Sequence, residues 1–434
     1  MTTTVRPSAV LATVALVTAL AAGCGNGSVG DTQRAADTGS GSGERAAAPP
    51  PEPTDPTDCP GEPLRFTSIA TLTGGPTGGD TAVRARIGTE AALASINREC
   101  ALGRPIEVAV CDDGADLNRN LACGREAAED GSLAILNSVG TFDDGAAASG
   151  LPGIFLWGTS AFELTEEQAY SSVSGITVGM GGVSAAKAAG AEHFVLVLPD
   201  TPALQFVASQ VEELASLIDL ELETLYFPAD ATDYAPIAAQ IAGRDPDAVG
   251  MLPSSPVVMI NALAAEGITP ESHIMSIASI VMTPEVIDEL GDALDGLLVV
   301  SPALPPTATD NPGVEEFRAD LEAAGYDPDD PDIDFNTVVS WSNLKKLEES
   351  LSAIDPSVVA SLDSQALVEA IVDHPADRPE AAAYDFTENQ LPEFPGLAGF
   401  RVFTREVAIL EVQGGRYEVL SDGFVDMLDP PPLG

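Results

Sequence analysis

The sequence predicts an α/β protein of two lobes, each a mainly parallel sheet wrapped by helices, with hinge strands shared between them. Three observations predict it. Short apolar runs alternate with amphipathic stretches from Leu64 onward, the pattern of repeated β-α-β units. A second series of the same kind starts near Phe194 with no polar linker before it. The chain has 434 residues, 45% of them hydrophobic and only 5% aromatic, enough for about two or three domains with aliphatic cores.

The N-terminus carries Arg6 and then an apolar run from Ala9 to Ala22, too short to span a bilayer. The run ends in Leu20-Ala21-Ala22-Gly23-Cys24. This resembles a bacterial lipobox, with Ala21 where leucine is usual. The resemblance implies a signal peptide over residues 1–23, cleavage before Cys24 and lipidation of its thiol. An ordinary cleaved signal is the alternative. Several acyl chains on one cysteine anchor stably where one chain is marginal. Residues 24–58 are rich in Gly, Ser, Ala, Pro and acids and cannot bury enough apolar surface to fold. They are expected to form a disordered tether, stiffer near Pro49-Pro50-Pro51. No later stretch is long and apolar enough to be transmembrane.

Acids outnumber bases 67 to 19, a formal charge of −48. Such a surface repels nucleic acid and anionic lipid headgroups, so neither is an expected partner. The ordinary meaning of the charge is a solvated exterior. Four cysteines remain after Cys24, namely Cys59, Cys100, Cys111 and Cys123. An even count in an exported chain indicates disulfides, with three possible connectivities. The favoured pairs are Cys59–Cys100, pinning the start of the domain to the end of its first helix, and Cys111–Cys123, joining a strand end to the next helix. A zinc site is the rival, but no Cys-x-x-Cys spacing occurs and no histidine lies near. No metal or cofactor is expected.

In order, the first series predicts strands over 64–72, 106–110, 133–139 and 154–157, with helices over 80–99 and 118–129. Val83, Ile87, Ala91 and Ala94 make one face of the first helix. The second series predicts strands over 194–198, 222–227, 248–252, 274–277 and 297–300. The run Phe194 to Leu198 is continuously apolar, as in a strand buried on both faces. Leu204, Val207, Val211, Leu214 and Ile218 mark the next helix. Further helices are expected over 234–241, 256–266, 284–290, 313–324 and 336–351. The C-terminal part turns strand-rich over 400–403, 407–413 and 416–420, with a hairpin at Gly414-Gly415. The expected organisation is lobe one over 59–178, lobe two over 179–299, a return to lobe one over 300–352, and a β-rich part of lobe two over 353–434. Ligands of such sheets bind outside the carboxyl ends of the strands, here between the lobes.

Signs of catalysis are weak. His193, His273 and His374 lie in no metal or nucleophile motif, and no Gly-x-Ser-x-Gly or His-Glu-x-x-His occurs. Gly74 to Gly79 joins a strand to a helix and could cradle an anion, but lacks the following Lys-Ser/Thr of a nucleotide loop. Gly179-Met180-Gly181-Gly182 is a weaker version of the same signal. The pairs Asp112-Asp113 and Asp143-Asp144 read as turn or cap chemistry.

Leu72-Thr73-Gly74-Gly75-Pro76 resembles the Leu-Thr-Gly-Pro entry of the branched-chain amino-acid-binding proteins. These are type I periplasmic binding proteins, which serve ABC importers. Ile96-Asn97 with Gly103 to Val108, and then Cys111 to Asp116, are similar to that family's first helix, second strand and acidic turn. Gly158-Thr159-Ser160-Ala161-Phe162-Glu163-Leu164-Thr165 resembles its ligand loop. Asp230 to Tyr234, Asp245 to Val249 and Gly291 to Val299 resemble later turns and strand entries. The likeness runs from about residue 64 to 425.

The resemblance implies the type I periplasmic-binding-protein fold, two Rossmann-like lobes joined by hinge strands, and capture of a small solute without catalysis. It implies an ABC permease and ATPase as partners, on the outer face of the cell membrane. By position it points to Thr141, Thr159, Ser160 and Ala161 for a ligand carboxylate, with Ser255 and Thr81 as further contacts. Free N–H groups at helix starts favour such an anion. Ser160 and Thr165 also fit as plain helix caps. The family's tyrosine after the Phe194–Leu198 strand is absent, and Ser254-Ser255 stands where a later one is usual. No acid lies in Ala278 to Thr283 to pair a ligand ammonium, and an unpaired buried ammonium is costly. The expected solute is therefore a carboxylate or amide, amino-acid-like but not necessarily an α-amino acid. A membrane-receptor sensor, an exported hydrolase and a ligand-free scaffold are the other readings.

Overall fold

The computed structural model describes residues 59–433 apart from 75–78, 141, 159, 254, 377–379 and 388–398. The expected signal peptide, Cys24 and the tether lie outside the described residues. Lobe one opens with β1 (Leu64–Ala70), α1 (Asp80–Glu99), β2 (Ile106–Asp112) and α2 (Leu117–Glu129). It continues through β3 (Ile135–Leu136), α3 (Asp144–Ser149), β4 (Gly153–Gly158), α4 (Ala161–Thr165) and β5 (Ala169–Ser174). The sheet order is β2-β1-β3-β4-β5, every pair parallel. All of β1 but Arg65 is buried, as befits a strand inside a parallel sheet covered on both faces.

The strand expected over 133–139 shrinks to two residues. Asn137 takes a left-handed backbone, φ 50°, and its side chain turns into a buried polar network. Its Nδ2 donates to Thr89 Oγ1 at 3.0 Å and to the Ser340 carbonyl at 2.8 Å, while its Oδ1 accepts from Asn343 Nδ2 at 2.7 Å. Asn343 Oδ1 in turn accepts the Ser172 and Tyr384 hydroxyls at 2.5 and 2.6 Å. Fully paired, such a network is tolerated in a core that would penalise any one of its members alone.

The chain first crosses to lobe two at the end of β5. Ser174 ends β5 and caps α5 (Gly175–Ala188), its Oγ accepting the Thr177 N–H at 3.0 Å. Then come β6 (His193–Pro199), α6 (Pro202–Leu217), β7 (Glu221–Phe227), α7 (Ala235–Ala242), β8 (Ala248–Met251) and α8 (Pro256–Ala265). β9 (Ile274–Ala278), α9 (Pro284–Leu290) and β10 (Leu298–Ser301) complete the series. α10 (Pro312–Ala323) and α11 (Phe335–Ser352) return to pack on α1.

α12 (Pro356–Val359) and α13 (Ser364–Asp373) stay with lobe one. Arg104 donates to the Val359 and Ala360 carbonyls at 3.1 Å, and Ser364 Oγ to the Leu133 carbonyl at 2.7 Å. The expectation over 353–434 is a β-rich part of lobe two; its first stretch instead forms these two helices, held to lobe one by those bonds. The last crossing runs antiparallel beside the one before it, Leu304 N–H to the Ala381 carbonyl at 2.9 Å and Ala383 N–H to that of Pro302 at 3.1 Å. It leads to β11 (Glu406–Gln413) and β12 (Arg416–Asp426). These give the second sheet the order β12-β11-β10-β9-β8-β6-β7.

The strand expected over 400–403 does not form. There the Arg401 N–H donates to the Leu164 carbonyl and its guanidinium lies over the Tyr170 and Phe403 rings, so the backbone is spent on a loop rather than a ladder. Cys59 is bonded to Cys100 and Cys111 to Cys123, with Cα atoms 5.4 and 5.8 Å apart.

Gly179 to Gly182 is not a loop but the interior of α5. Glycine there lets the helix sit close to the sheet: a Cβ on Gly181 would lie 2.4 Å from Val300 Cγ1 and 3.2 Å from Val407 Cγ1. Alanine normally stabilises a helix interior over glycine by about 1 kcal/mol. At Gly181 overpacking should win, so Gly181→Ala is expected to lower the unfolding free energy by about 1–3 kcal/mol. Urea titration checks this, and an unchanged or higher midpoint would contradict the tight seat of α5.

Candidate functional site

Parallel strands leave their carboxyl ends facing one crevice, and here those ends are apolar. Leu198 at the end of β6, Met251 at the end of β8 with Leu252 just after it, and Ile277 and Ala278 of β9 line a cavity of about 140 Å³. Trp157, from the end of β4 in lobe one, lines it too. The cavity continues inward between the sheet and its helices. Val178 of α5 and Leu204 and Val207 of α6 wall one side. Gly175, Gly179 and Gly182 also line it, at a spacing that puts all three on one face of α5. Phe194 lies across β8, where a Cβ on Gly250 would meet its ring at 2.2 Å. Set among these groups is Ser276, 2% exposed, whose hydroxyl has no hydrogen-bond partner among the described residues.

A polar chain holds Trp157 in place. Its indole N–H donates to Asn336 Oδ1 at 2.9 Å, and Asn336 Nδ2 donates to Asp334 Oδ2 at 3.0 Å. Asp334 caps α11 and pairs with Arg84 at 3.5 Å. Arg84 is buried and also meets Asp332 and, across the lobes, Glu285 of α9, each at 3.5 Å. A second contact between lobes sets the Phe335 ring against Tyr417, centroids 5.2 Å apart.

Among the described residues, those singled out from the sequence are not brought together in this cavity. Thr141 and Thr159 lie outside the described residues. Ser160 is the N-cap of α4, and Ala161 is the first residue of that helix. The Ser160 hydroxyl accepts the Glu163 N–H at 3.1 Å while its own N–H donates to the Glu163 carboxylate at 3.0 Å. Both groups are thus committed to a capping box. Ser160 lines a smaller cavity of about 70 Å³ with Ser138, Phe142, Asp143 and Glu163. Thr81 sits in the first turn of α1 and Ser255 at the start of α8; neither lines these cavities.

The first acidic pair performs the turn chemistry read from it. Asp112 accepts from the Thr73 hydroxyl and from the Leu72, Thr73 and Gly114 N–H groups. These bonds, the Thr73 hydroxyl foremost, hold its carboxyl below the usual range. Asp113 accepts from Thr71, Ala115 and Asn120. No group of three His, Cys, Asp or Glu placed to hold a metal occurs among the described residues. Sequence reasoning missed Trp157 and Ser276, and weighed Gly182 only as part of a weak anion loop. The glycines at 175, 179 and 182, read at helical spacing, carried a signal for a bare helix face.

A sequence profile of the periplasmic binding protein family matches residues 63–398. The chain belongs to this family. Solved periplasmic binding proteins share its fold. One is an ABC-transporter solute-binding protein from R. palustris in complex with 4-hydroxybenzoate, at 17% identity and TM-score 0.67, covering 86% of this chain and 98% of that one. A fatty acid ABC transporter substrate-binding protein from Thermomonospora curvata matches at 16% identity and TM-score 0.65, over 86% and 95%. A leucine-binding protein from Thermotoga maritima matches at 16% identity and TM-score 0.59, over 84% and 99%. The comparison with curated proteins finds no match.

The Asp334 carboxyl is pushed up by burial, against the opposing pull of Arg84 and the Asn336 and Thr337 hydrogen bonds. A raised folded-state pKa adds stability below the ordinary carboxylate value of about 3.9, and that increment is lost as pH climbs through the raised value. The stability of the wild type relative to Asp334→Asn should therefore fall as pH rises across that window. Urea unfolding of both proteins over a pH series checks this; a difference constant with pH, or growing, would contradict it.

Proposed function

We propose that the chain captures a small solute between its two lobes and hands it, unaltered, to an ABC permease and ATPase. The observation that carries the reading is the apolar cavity at the carboxyl ends of β6, β8 and β9, with Trp157 of the opposite lobe at its edge. Ligands of open α/β sheets lie at that end. The three crossings between lobes supply a hinge for closure over a guest. One neighbouring structure holds 4-hydroxybenzoate, and two others are named for fatty acid and leucine, each an apolar body bearing a carboxylate.

The solute on this reading is a small carboxylate or amide with an apolar body. No acidic residue is among those lining the apolar cavity, so a buried ammonium would go unpaired at a cost of several kcal/mol. That disfavours an ordinary α-amino acid. Thr141, Thr159, Ser160 and the Ala161 N–H are assigned the polar end of the solute, on the family resemblance. Ser160 would contribute by shaping the loop, since its polar groups serve the cap. The site is extracytoplasmic, with Cys24 carrying lipid and the stretch to residue 58 serving as tether. No helix among the described residues is long and apolar enough to cross a membrane.

A thermal-shift panel of aromatic acids, short-chain acids, amides and amino acids tests capture. Apolar carboxylates or amides should raise the melting temperature. A hundredfold excess over Kd corresponds to about 2.7 kcal/mol. Mass spectrometry should recover the solute unchanged. Silence across the whole panel would sink the reading, and product formation would replace it with an enzyme. Cys24→Ser is expected to move the chain from the membrane fraction to the soluble one; membrane retention would refute the lipid anchor.

A further inference from the structure

The lobe-two cavity is more than the floor of a crevice. It runs behind the carboxyl ends of the strands into the layer between the sheet and α5 and α6, beside Phe194 and Gly250 well below the rim. Three features set its chemistry. Its walls are aliphatic and aromatic, so it favours an apolar guest. Its volume is about 140 Å³, and an apolar cavity of about 150 Å³ is known to hold one benzene. Its polar feature is the Ser276 hydroxyl, buried and unpartnered among the described residues. A hydroxyl left unpaired in an apolar core is destabilising, and nothing in the packing of β9 requires oxygen there.

We propose that this cavity is a ring subsite: it takes one six-membered aromatic ring of the solute edge-on beneath Trp157, and Ser276 pairs with a hydroxyl carried on that ring. The assignment rests on the capture reading and narrows it to phenol-bearing solutes. The bare face of α5 makes the room. A Cβ on Gly182 would stand 3.5 Å from Ser276 Oγ, so position 182 borders the space the ring occupies. Ser276 then acts as a specificity residue. A site that hydrogen-bonds a ligand hydroxyl discriminates against the analogue lacking it, because its own polar group is left unpaired.

The test uses phenol and benzene as probes, titrated into the whole chain and followed by calorimetry. Both should bind the wild type. Gly182→Leu should weaken both by at least about tenfold by filling the cavity. Ser276→Ala should weaken phenol by about 3- to 10-fold and leave benzene within about twofold. If Gly182→Leu does not fold, Gly182→Ala serves, since its added methyl makes only ordinary contact and alanine suits a helix interior; it too should weaken both probes. Neither probe binding the wild type, both unaffected by a change at 182, or phenol and benzene responding alike to Ser276→Ala would each overturn the ring subsite. Capture is tested separately: ring-free carboxylates from the solute panel that shift the wild type and Gly182→Leu alike would uphold it while the subsite fell.

Discussion

The closeness of α5 to the second sheet governs much of what the molecule offers a ligand. Gly181 has no Cβ, so Val300 and Val407 can approach the helix backbone. Seated there, the helix turns Gly182 toward Ser276 of β9, where a Cβ would stand 3.5 Å from its Oγ, and leaves open space at Gly175. A side chain at 179 would meet Val211 at 3.0 Å, so that wall is drawn in toward α6 as well. Tight contact on one side and space on the other come from the same run of glycines. A helix interior with three of them forgoes propensity of about 1 kcal/mol each relative to alanine, offset here by buried packing.

Lobe one meets its constraint differently. Asn137 interrupts a strand in the middle of a parallel sheet, which would leave polar groups stranded in a core. The neighbouring amide of Asn343, the Ser172 and Tyr384 hydroxyls and the Thr89 hydroxyl take them up. Tyr384 belongs to a crossing between lobes and Asn343 to α11, so the network ties the hinge to the first sheet. Burial raises the Tyr384 hydroxyl well above its usual pKa, keeping it a neutral donor to Asn343. The lysines contribute here as well. Lys345 pairs with Glu316 and Asp320, and Lys346 donates to the Ala376 carbonyl. Two of the three lysines thus serve the first lobe, which argues against either as an anchor for an anionic solute in the cavity of the second.

The sequence carried the order of elements well because apolar period and turn residues are local properties. The helix over 80–99 and the strand run from Phe194 were legible for that reason. The run over 133–139 was not, because its fate depends on partners some two hundred residues away. Helices α12 and α13 fall in a stretch expected to be β-rich, and their lobe is decided by Arg104 and Leu133, which no local pattern names. At the site the gap is wider. The resemblance directed attention to hydroxyls and helix starts of lobe one, where Ser160 is spent on its own cap. The walls of the apolar cavity are ordinary core residues in sequence. Leu196 and Val207 look the same whether they pack on each other or face a void, and a glycine pattern read as a loop hid the helix that makes the difference.

The position of Ser276 deserves weighing against its neighbours. Met275 and Ile277 flank it on β9, 0% and 2% exposed, so the strand is buried on both faces. In such a strand an aliphatic residue would satisfy both packing and β propensity. Thr67 and Ser172, other buried hydroxyls of the sheets, are each paired, with Ser132 and Asn343 respectively. Ser276 departs from that practice while lining the apolar cavity behind its sheet. A hydroxyl kept without a protein partner beside space for a ring has its hydrogen-bonding capacity free for a guest. An aliphatic side chain would have closed that option and shrunk the cavity together.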